Sequence, residues 1–421
     1  MLGRPEVLDR KTVTTVTTCQ ICKSSRLRKI LELGNHPAVV FLTEQELGGK
    51  KDERYPLGIQ YCDTCGCVQS RYIVDPSILF GEEYHHISGI PTSFRRHLQD
   101  LASVLSNRFS LTPQDLVVEI GSSDGALLEQ LSSHKVKLLG IDPSSVAQIA
   151  IDKGIPTIRE FFGEKTARAI LRKFGKARVI VALNTFAHVA ELDSLLRGIN
   201  LLLDEKGVFV TESHYLVDLV SKLQYDFIYH EHLRYYSLKT LVYLFDKYGM
   251  EVHDVERIPT HSGSIRVFAS RKGTYPISPS VGIMLEAESK LGISSSATYD
   301  EFARRAEEHK LALIGMLSTL KHEGNRIVGL TYPARALTLM QYCGIDQQFL
   351  DYITEQSPLK VGKYAPGTHI KIIDESVLFT DQPAYGLLLS WHLADEIIPK
   401  FKAKGYKGRF IIPLPEPRVV D

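Results

Sequence analysis

The chain has 421 residues, 44% of them apolar, with 50 basic against 49 acidic side chains and a formal net charge of +1. At roughly 100–200 residues per domain the length calls for two or three domains, and the near-zero charge offers no general attraction to nucleic acid or an anionic membrane. With no apolar run near the roughly 18 residues of a bilayer span, and no apolar core of a signal peptide at the start, a cytoplasmic protein without membrane or nucleic-acid partners is expected.

Five of the six cysteines lie before residue 70 in two tight groups, which fits metal ligation better than a disulfide framework. Cys19-Gln-Ile-Cys22 and Cys62-Asp-Thr-Cys65 form two knuckles, each able to place two thiolates on one tetrahedral zinc. Four thiolates leave no open position for water, so the zinc is expected to be structural, with Cys67 spare. Next comes Leu79-Phe-Gly-Glu-Glu-Tyr-His-His-Ile-Ser-Gly89, where Tyr84 and His86 are candidates to reach a neighbouring pocket or are ordinary loop residues. Residues 93–105 repeat apolar side chains at helical spacing behind Ser93, and a connecting helix is predicted.

From residue 115 short apolar runs alternate with helix-length segments. Strands are predicted at 115–120, 137–142, 177–183 and 207–212, a helix at 126–131, and hence a doubly wound α/β sheet whose ligand lies at the strands' carboxyl ends. The turn Gly121-Ser-Ser-Asp-Gly125 lets a ligand approach the backbone, and Asp142 ends the next strand, where an acid can bond both hydroxyls of a ribose. Glu119, this turn and Asp142 point to an adenosine-type cofactor, with S-adenosylmethionine a better fit than NAD because there is no GxGxxG. His188 follows the 177–183 strand on the same side; it fits a cleft residue or a neutral core histidine, and Glu212 is equally open.

The stretch Tyr225-Asp-Phe-Ile-Tyr-His-Glu-His-Leu-Arg-Tyr-Tyr236 holds four Tyr, two His, one Glu and one Asp, a density of polar groups that a core would struggle to satisfy. An imidazole is a base near neutral pH, a neighbouring carboxylate can fix its tautomer, and a phenol can donate to an oxyanion. Tyr229, Glu231 and His232 could fill these roles; a zinc site or a hydrogen-bonded surface would also account for the composition. A helix at 237–248, strands at 251–257 and 264–271, and a polar loop His261-Ser-Gly-Ser-Ile-Arg266 over the cleft follow. A long linking helix is predicted at 297–321, with Phe302, Ala306, Leu311, Leu313 and Leu317 on its apolar face. A second α/β unit then runs through 326–330, 334–342, 371–373, 385–390 and 410–412; its Arg335, Lys360 and Lys363 could meet a diphosphate's charge or be surface cations.

Together the two cysteine knuckles, Glu119-Ile-Gly-Ser-Ser-Asp-Gly125, Asn184-Thr-Phe-Ala-His188 and Tyr225-Asp-Phe-Ile-Tyr-His-Glu-His232 resemble the zinc-containing deoxysugar C-methyltransferases, which act on nucleotide-linked 4-keto-sugars. The likeness covers nearly the whole chain. It implies α/β architecture in four parts: a zinc-binding module (1–80), a connecting segment and helix (81–112), a class I, Rossmann-like methyltransferase domain (113–295) and a second Rossmann-like α/β domain that helps to hold the sugar nucleotide (296–421). It implies S-adenosylmethionine as methyl donor, held by Glu119, Gly121, Ser123, Asp124, Gly125, Asp142 and Asn184, and S-adenosylhomocysteine as product. His232 matches the family's base, Tyr229 and Glu231 its partners, His188 a cleft residue, and Tyr84 a further site tyrosine; Ser264 and Arg266 lie in a matching segment. The chain departs from the pattern at His86, where the family often has a second tyrosine, and at Thr331-Tyr-Pro-Ala-Arg335, which is poorer in glycine. The expected activity is methylation of the carbon beside a ketone by a monomer, the alternatives being O- or N-methylation of a small metabolite, or a zinc-ribbon methyltransferase acting on nucleic acid.

Overall fold

The computed structural model describes residues 12–47, 52–79 and 92–421. Its central sheet has seven strands in the order Met250–Ile258, Ser264–Arg271, Leu203–His214, Ala177–Leu183, Leu116–Ile120, Lys137–Ile141 and Thr157–Ile158. All neighbours are parallel except Ser264–Arg271, which is antiparallel to both of its own. Parallel strands covered on both faces must be apolar throughout, and every residue of Leu116–Ile120 is buried. The predicted strand at 207–212 extends to His214 because Ser213 and His214 pair with Ile265 and Ser264. After Leu116–Ile120 the chain builds outward in one direction, then returns to Ala177–Leu183 on the other side. The crevice therefore opens at the carboxyl ends of these two strands, where Gly121 and Asn184 stand. The helix Thr92–Arg108 is part of this layer rather than a bare linker, since Leu98, Leu101 and Leu105 pack into one cluster with Leu127, Leu128 and Leu131.

The amino-terminal module carries a four-stranded antiparallel sheet. Three strands are its own, Leu27–Pro37, Arg54–Cys62 and Val68–Ser70; the fourth, Arg234–Tyr235, comes from the tyrosine- and histidine-rich stretch, pairing with Gln69 and Val68. The linking helix spans Ser296–His322 and buries Tyr299, Phe302, Ala306, His309, Leu313 and Leu317, one stripe at spacings of three and four. Leu311 falls off that stripe and is 69% exposed, against the expectation that it faces the core. The carboxyl-terminal sheet has the order Ile372–Asp374, Ile353–Glu355, Ile327–Leu330, Tyr385–Leu388, Arg409–Ile412 and Arg418–Val420, parallel except for the last strand. Its own crevice opens after Leu330 and Leu388. Among the described residues no helix is long and apolar enough to cross a membrane.

Candidate active site and zinc centre

The Sγ atoms of Cys19, Cys22, Cys62 and Cys65 all lie within 4.8 Å of one another, with Cys19–Cys65 and Cys22–Cys62 at 3.5 Å. A ZnS₄ tetrahedron with bonds of about 2.3 Å has edges of about 3.8 Å, so the four thiolates need almost no movement to take the ion. The two knuckles use the same turn: Lys23 N–H donates to Cys19 O at 3.0 Å and Gly66 N–H to Cys62 O at 2.9 Å. Cys67 is fully buried beside them and packs with the module's apolar core.

At the central crevice Gly121 has φ 76°, and a Cβ there would sit 2.1 Å from Thr185 Oγ1, so only glycine lets the two loops of the crevice approach this closely. Asp142, just past its strand, accepts from Ser123 N–H at 2.9 Å and from Ser144 N–H and Oγ–H at 2.8 and 2.6 Å, which fixes the carboxylate and leaves lone pairs over. Glu119 is 4% exposed and its Oε2 has no hydrogen-bond partner among the described residues. Burial first, then the carboxylates of Asp124 and Asp142, hold its carboxyl well above the usual carboxylate range. Asp124 Oδ1 is likewise buried and, among the described residues, without a hydrogen-bond partner, although Lys153 lies 4.0 Å from its other oxygen. Asn184 stands across the crevice with φ 54°, its N–H donated to Glu212 O at 2.8 Å. Three acids, two of them with unmet hydrogen-bonding capacity, around a glycine-opened loop fit a ligand that is cationic and rich in hydroxyls, as S-adenosylmethionine is.

Beside this crevice a small cavity is lined by Asn184, Ala187, Ser213, His214, Phe227, His232, Arg234 and Tyr235. His232 is 5% exposed and donates Nδ1–H to Phe227 O at 2.8 Å, so the neutral ring carries its lone pair on Nε2. Burial, and then the neighbouring His188 with ring centres 5.0 Å apart, push the His232 imidazole well below its ordinary value. The Tyr229 ring centre is 4.0 Å from that of His232, and burial together with the Glu231 charge raises its phenol well above 10, so it is a donor at neutral pH. Phe227 stacks between His232 at 4.5 Å and His214 at 3.8 Å.

The stretch is held by all three parts of the molecule. The zinc module accepts His230 Nε2–H at Tyr55 O (3.2 Å), and its Ser70 N–H donates to Leu233 O (2.9 Å). Arg234 bonds Gln20 Oε1 at 2.6 Å, Tyr236 OH at 3.0 Å and Val189 O of the central unit. From the carboxyl-terminal unit Thr338 Oγ1–H donates to Ile228 O at 2.7 Å, while Arg335 and Trp391 hold Asp226.

The structure brings His188, Tyr229, Glu231, His232 and Asn184 to one place, whereas Arg266 of the polar loop segment, and Arg335 and Lys360 of the cations read as candidates for a diphosphate, are paired with acids. Arg266 bonds Glu212 at 2.6 Å and Glu256 at 2.8 Å, Arg335 forms a two-pronged pair with Asp226, and Lys360 donates to Glu355 at 3.3 Å and Tyr332 O at 2.9 Å. Arg266 and Arg335 are buried, where a cation needs fixed partners, while Lys360 is only half-buried with its own. Glu212, also bonded by His97 at 2.7 Å, shows the balance: burial by itself raises its carboxyl, but His97 and Arg266 outweigh it and the net shift is downward. Ser264 is a fully buried strand residue whose hydroxyl donates to Thr260 O at 2.9 Å, and Lys363 is partly exposed on the loop after Ser357. Tyr84 and His86 lie outside the described residues. Asp226, Gln224 and Trp391 escaped the sequence reading; that Trp391 is the chain's single tryptophan was the available signal.

Family models match the chain in three consecutive pieces: a zinc binding domain over residues 19–80, a methyltransferase domain over 94–255 and a C-methyltransferase C-terminal domain over 259–415. The C-methyltransferase NovU of Streptomyces niveus is 33% identical over 414 residues, which are 97% of this chain and 98% of that protein. The chain belongs to the zinc-containing C-methyltransferase family. Solved methyltransferases from Anabaena variabilis (12% identity, TM-score 0.34, 42% of this chain and 86% of that one) and Clostridium acetobutylicum (12%, 0.33, 42% and 92%) are also similar. As a C-methyltransferase the protein uses S-adenosylmethionine and carries zinc in its four-cysteine site.

Proposed function

We propose that this C-methyltransferase acts on a nucleotide-linked keto-deoxysugar, methylating the carbon next to the ketone, C-3 of a 4-keto sugar. The observation that carries the reading is the fixed tautomer of His232: Nδ1–H is spent on Phe227 O, so Nε2 can take a proton at the edge of the cofactor crevice. The ketone makes the adjacent C–H acidic. As Nε2 removes that proton, the electron pair moves onto the carbonyl oxygen, where the Tyr229 hydroxyl donates a hydrogen bond to the enolate. S-adenosylmethionine supplies an electrophilic methyl group on a sulfonium. The enolate carbon takes that methyl, the S–CH₃ bond breaks, and S-adenosylhomocysteine remains. His188 beside His232 opposes a lasting imidazolium, which favours passing the proton on. The loop Gly121–Gly125 with Asp142 and Asn184 is assigned to the cofactor, Glu231 to holding the Tyr229 and His232 pair, and Lys363 to the acceptor's diphosphate.

The test is deuterium exchange at the carbon beside the ketone in the absence of methyl donor. The wild-type protein exchanges it; His232→Ala binds S-adenosylmethionine as before but loses exchange and methyl transfer together, by about 10²–10⁴-fold. An enzyme that methylates oxygen or nitrogen shows no exchange at all, and near-normal turnover in His232→Ala would falsify the assignment of the base.

A further inference from the structure

The carboxyl-terminal unit reaches across to the catalytic stretch with side chains that are themselves buried. Arg335, the second residue of the helix Ala334–Cys343 and 3% exposed, donates from Nε to Asp226 Oδ2 at 2.7 Å and from Nη2 to Asp226 Oδ1 at 2.8 Å. Trp391 Nε1–H adds a third bond to Oδ2 at 2.7 Å, and Asp226 is fully buried. Arg335 Nη2 also reaches Gln224 Oε1 at 3.2 Å, which accepts His214 Nε2–H at 2.9 Å. One turn further along the same helix, Thr338 holds Ile228 O. Residues 224, 226 and 228 are thus each tied to this unit or to a partner of it, and residue 227 lies between them. It is the carbonyl of residue 227 that receives His232 Nδ1–H.

A buried ion pair is expensive to desolvate and is weak evidence for stability, whereas a two-pronged arginine fork fixes geometry in two directions. Here the fixed object is the peptide that decides which nitrogen of His232 carries the proton. We propose that Asp226, gripped by Arg335 and Trp391, is a positioning residue that sets the tautomer and orientation of His232, so that the carboxyl-terminal unit controls the base without contributing a reacting group. The proposal rests on the reading of His232 as the base.

The experiment uses the full zinc-loaded chain with ¹⁵N-labelled histidine, in Trp391→Phe, Arg335→Lys and Asp226→Asn, the His232 signal being assigned by its loss in His232→Ala. Trp391→Phe removes one donor and leaves a smaller aromatic ring in its place, so it stays informative if Asp226→Asn leaves Arg335 unpaired and the chain unfolded. The expected result is unchanged zinc content and S-adenosylmethionine affinity, a bonded Nδ1–H signal that weakens or divides between two tautomers, and kcat lowered about 10-fold in Trp391→Phe with KM unchanged. Arg335→Lys should lose more, because an ammonium cannot reproduce the fork. Adding Trp391→Phe to His232→Ala should cost nothing further. An unaltered Nδ1–H signal with unaltered kcat in Trp391→Phe and Arg335→Lys overturns the proposal, as does a rise in KM alone. If His232→Ala turns over normally the base reading fails instead, and the Nδ1–H signal still reports whether the grip sets that side chain.

Discussion

In the central sheet the residue after Leu116–Ile120 is Gly121, with φ 76° and its N–H donated to Ile141 O of the next strand at 2.7 Å; in the carboxyl-terminal sheet the residue after Ile327–Leu330 is Thr331, with φ 64° and its N–H donated to Thr354 O at 2.8 Å. The match continues at the neighbouring strand. Asp142 accepts the N–H of Ser123, and Glu355, in the same place, accepts that of Tyr332 at 3.1 Å. From there the two diverge. The central corner continues in Ser and Gly, and its acid is met by backbone and hydroxyl donors among the described residues. The other corner uses a β-branched residue in a conformation costing about 1–2 kcal/mol, bonds Thr331 Oγ1 to Ser390 Oγ at 2.6 Å, and gives its acid Lys360 as a partner. Tyr332, Arg335 and Trp391, all buried, stand just beyond the ends of its strands. Topology decides where a doubly wound sheet opens, and side-chain bulk decides whether the opening takes a small molecule or a piece of the protein itself.

The strongest way to break this contrast is Gly121→Ala. A methyl group forced against Thr185 at positive φ should weaken S-adenosylmethionine binding on the order of 100-fold by calorimetry; affinity within threefold of wild type would place the cofactor elsewhere. Next, the paired acids should respond differently. Asp142→Asn is expected to lower cofactor affinity about 10-fold, and Glu355→Gln to leave it untouched while destabilising the chain by about 1–3 kcal/mol in urea unfolding. If both variants lost affinity alike, the second crevice would be a cofactor site as well.

Acid pH probes the seat of the stretch 225–236 against the open crevice. Burial first pushes both His230, at the stretch, and His36, below it in the zinc module, down to about 4. Between about 4 and the unfolded value of about 6.5 the unfolded chain binds the extra protons, so stability is full above about 6.5 and is lost as pH falls toward 4. Each imidazole should remove about 1 kcal/mol between pH 7 and 5.5, and His230→Gln should flatten that slope when zinc content is followed in parallel. The smallest effect belongs to Thr331→Gly, which relieves strain but frees the unfolded chain. Stability should stay within about 1 kcal/mol and turnover within about twofold, in contrast to the substitution at Gly121.

Much of this architecture is legible in one dimension. Val117, Val118 and Val179 to Ala182 announce buried parallel strands because sheets covered on both faces admit nothing else, and the two Cys-x-x-Cys knuckles declare their metal by spacing. The histidines and tyrosines of the site are conspicuous because a core cannot absorb them cheaply. Pairing is harder to read. Arg266 meets the buried one of its two acids 54 residues away and Arg335 meets its own 109 away, so the sequence shows the charges without showing that they are spent on each other. The two-residue strand Arg234–Tyr235 has too short a period to be recognised, and it exists only because Val68–Ser70 offers an edge. The carbonyl of Phe227 is invisible for a simpler reason, since every residue has one.

That borrowed strand also bears on how the enzyme comes into being. The metal-binding sheet takes its last strand from residues made long after Cys65, at the point in the chain where Arg234 bonds Gln20 and Leu233 receives Ser70. The ribosome therefore releases the zinc ligands early and their completing strand late. The amino-terminal sheet is therefore expected to be completed only once residues 234 and 235 are in place, and removal of zinc should loosen that strand together with the module.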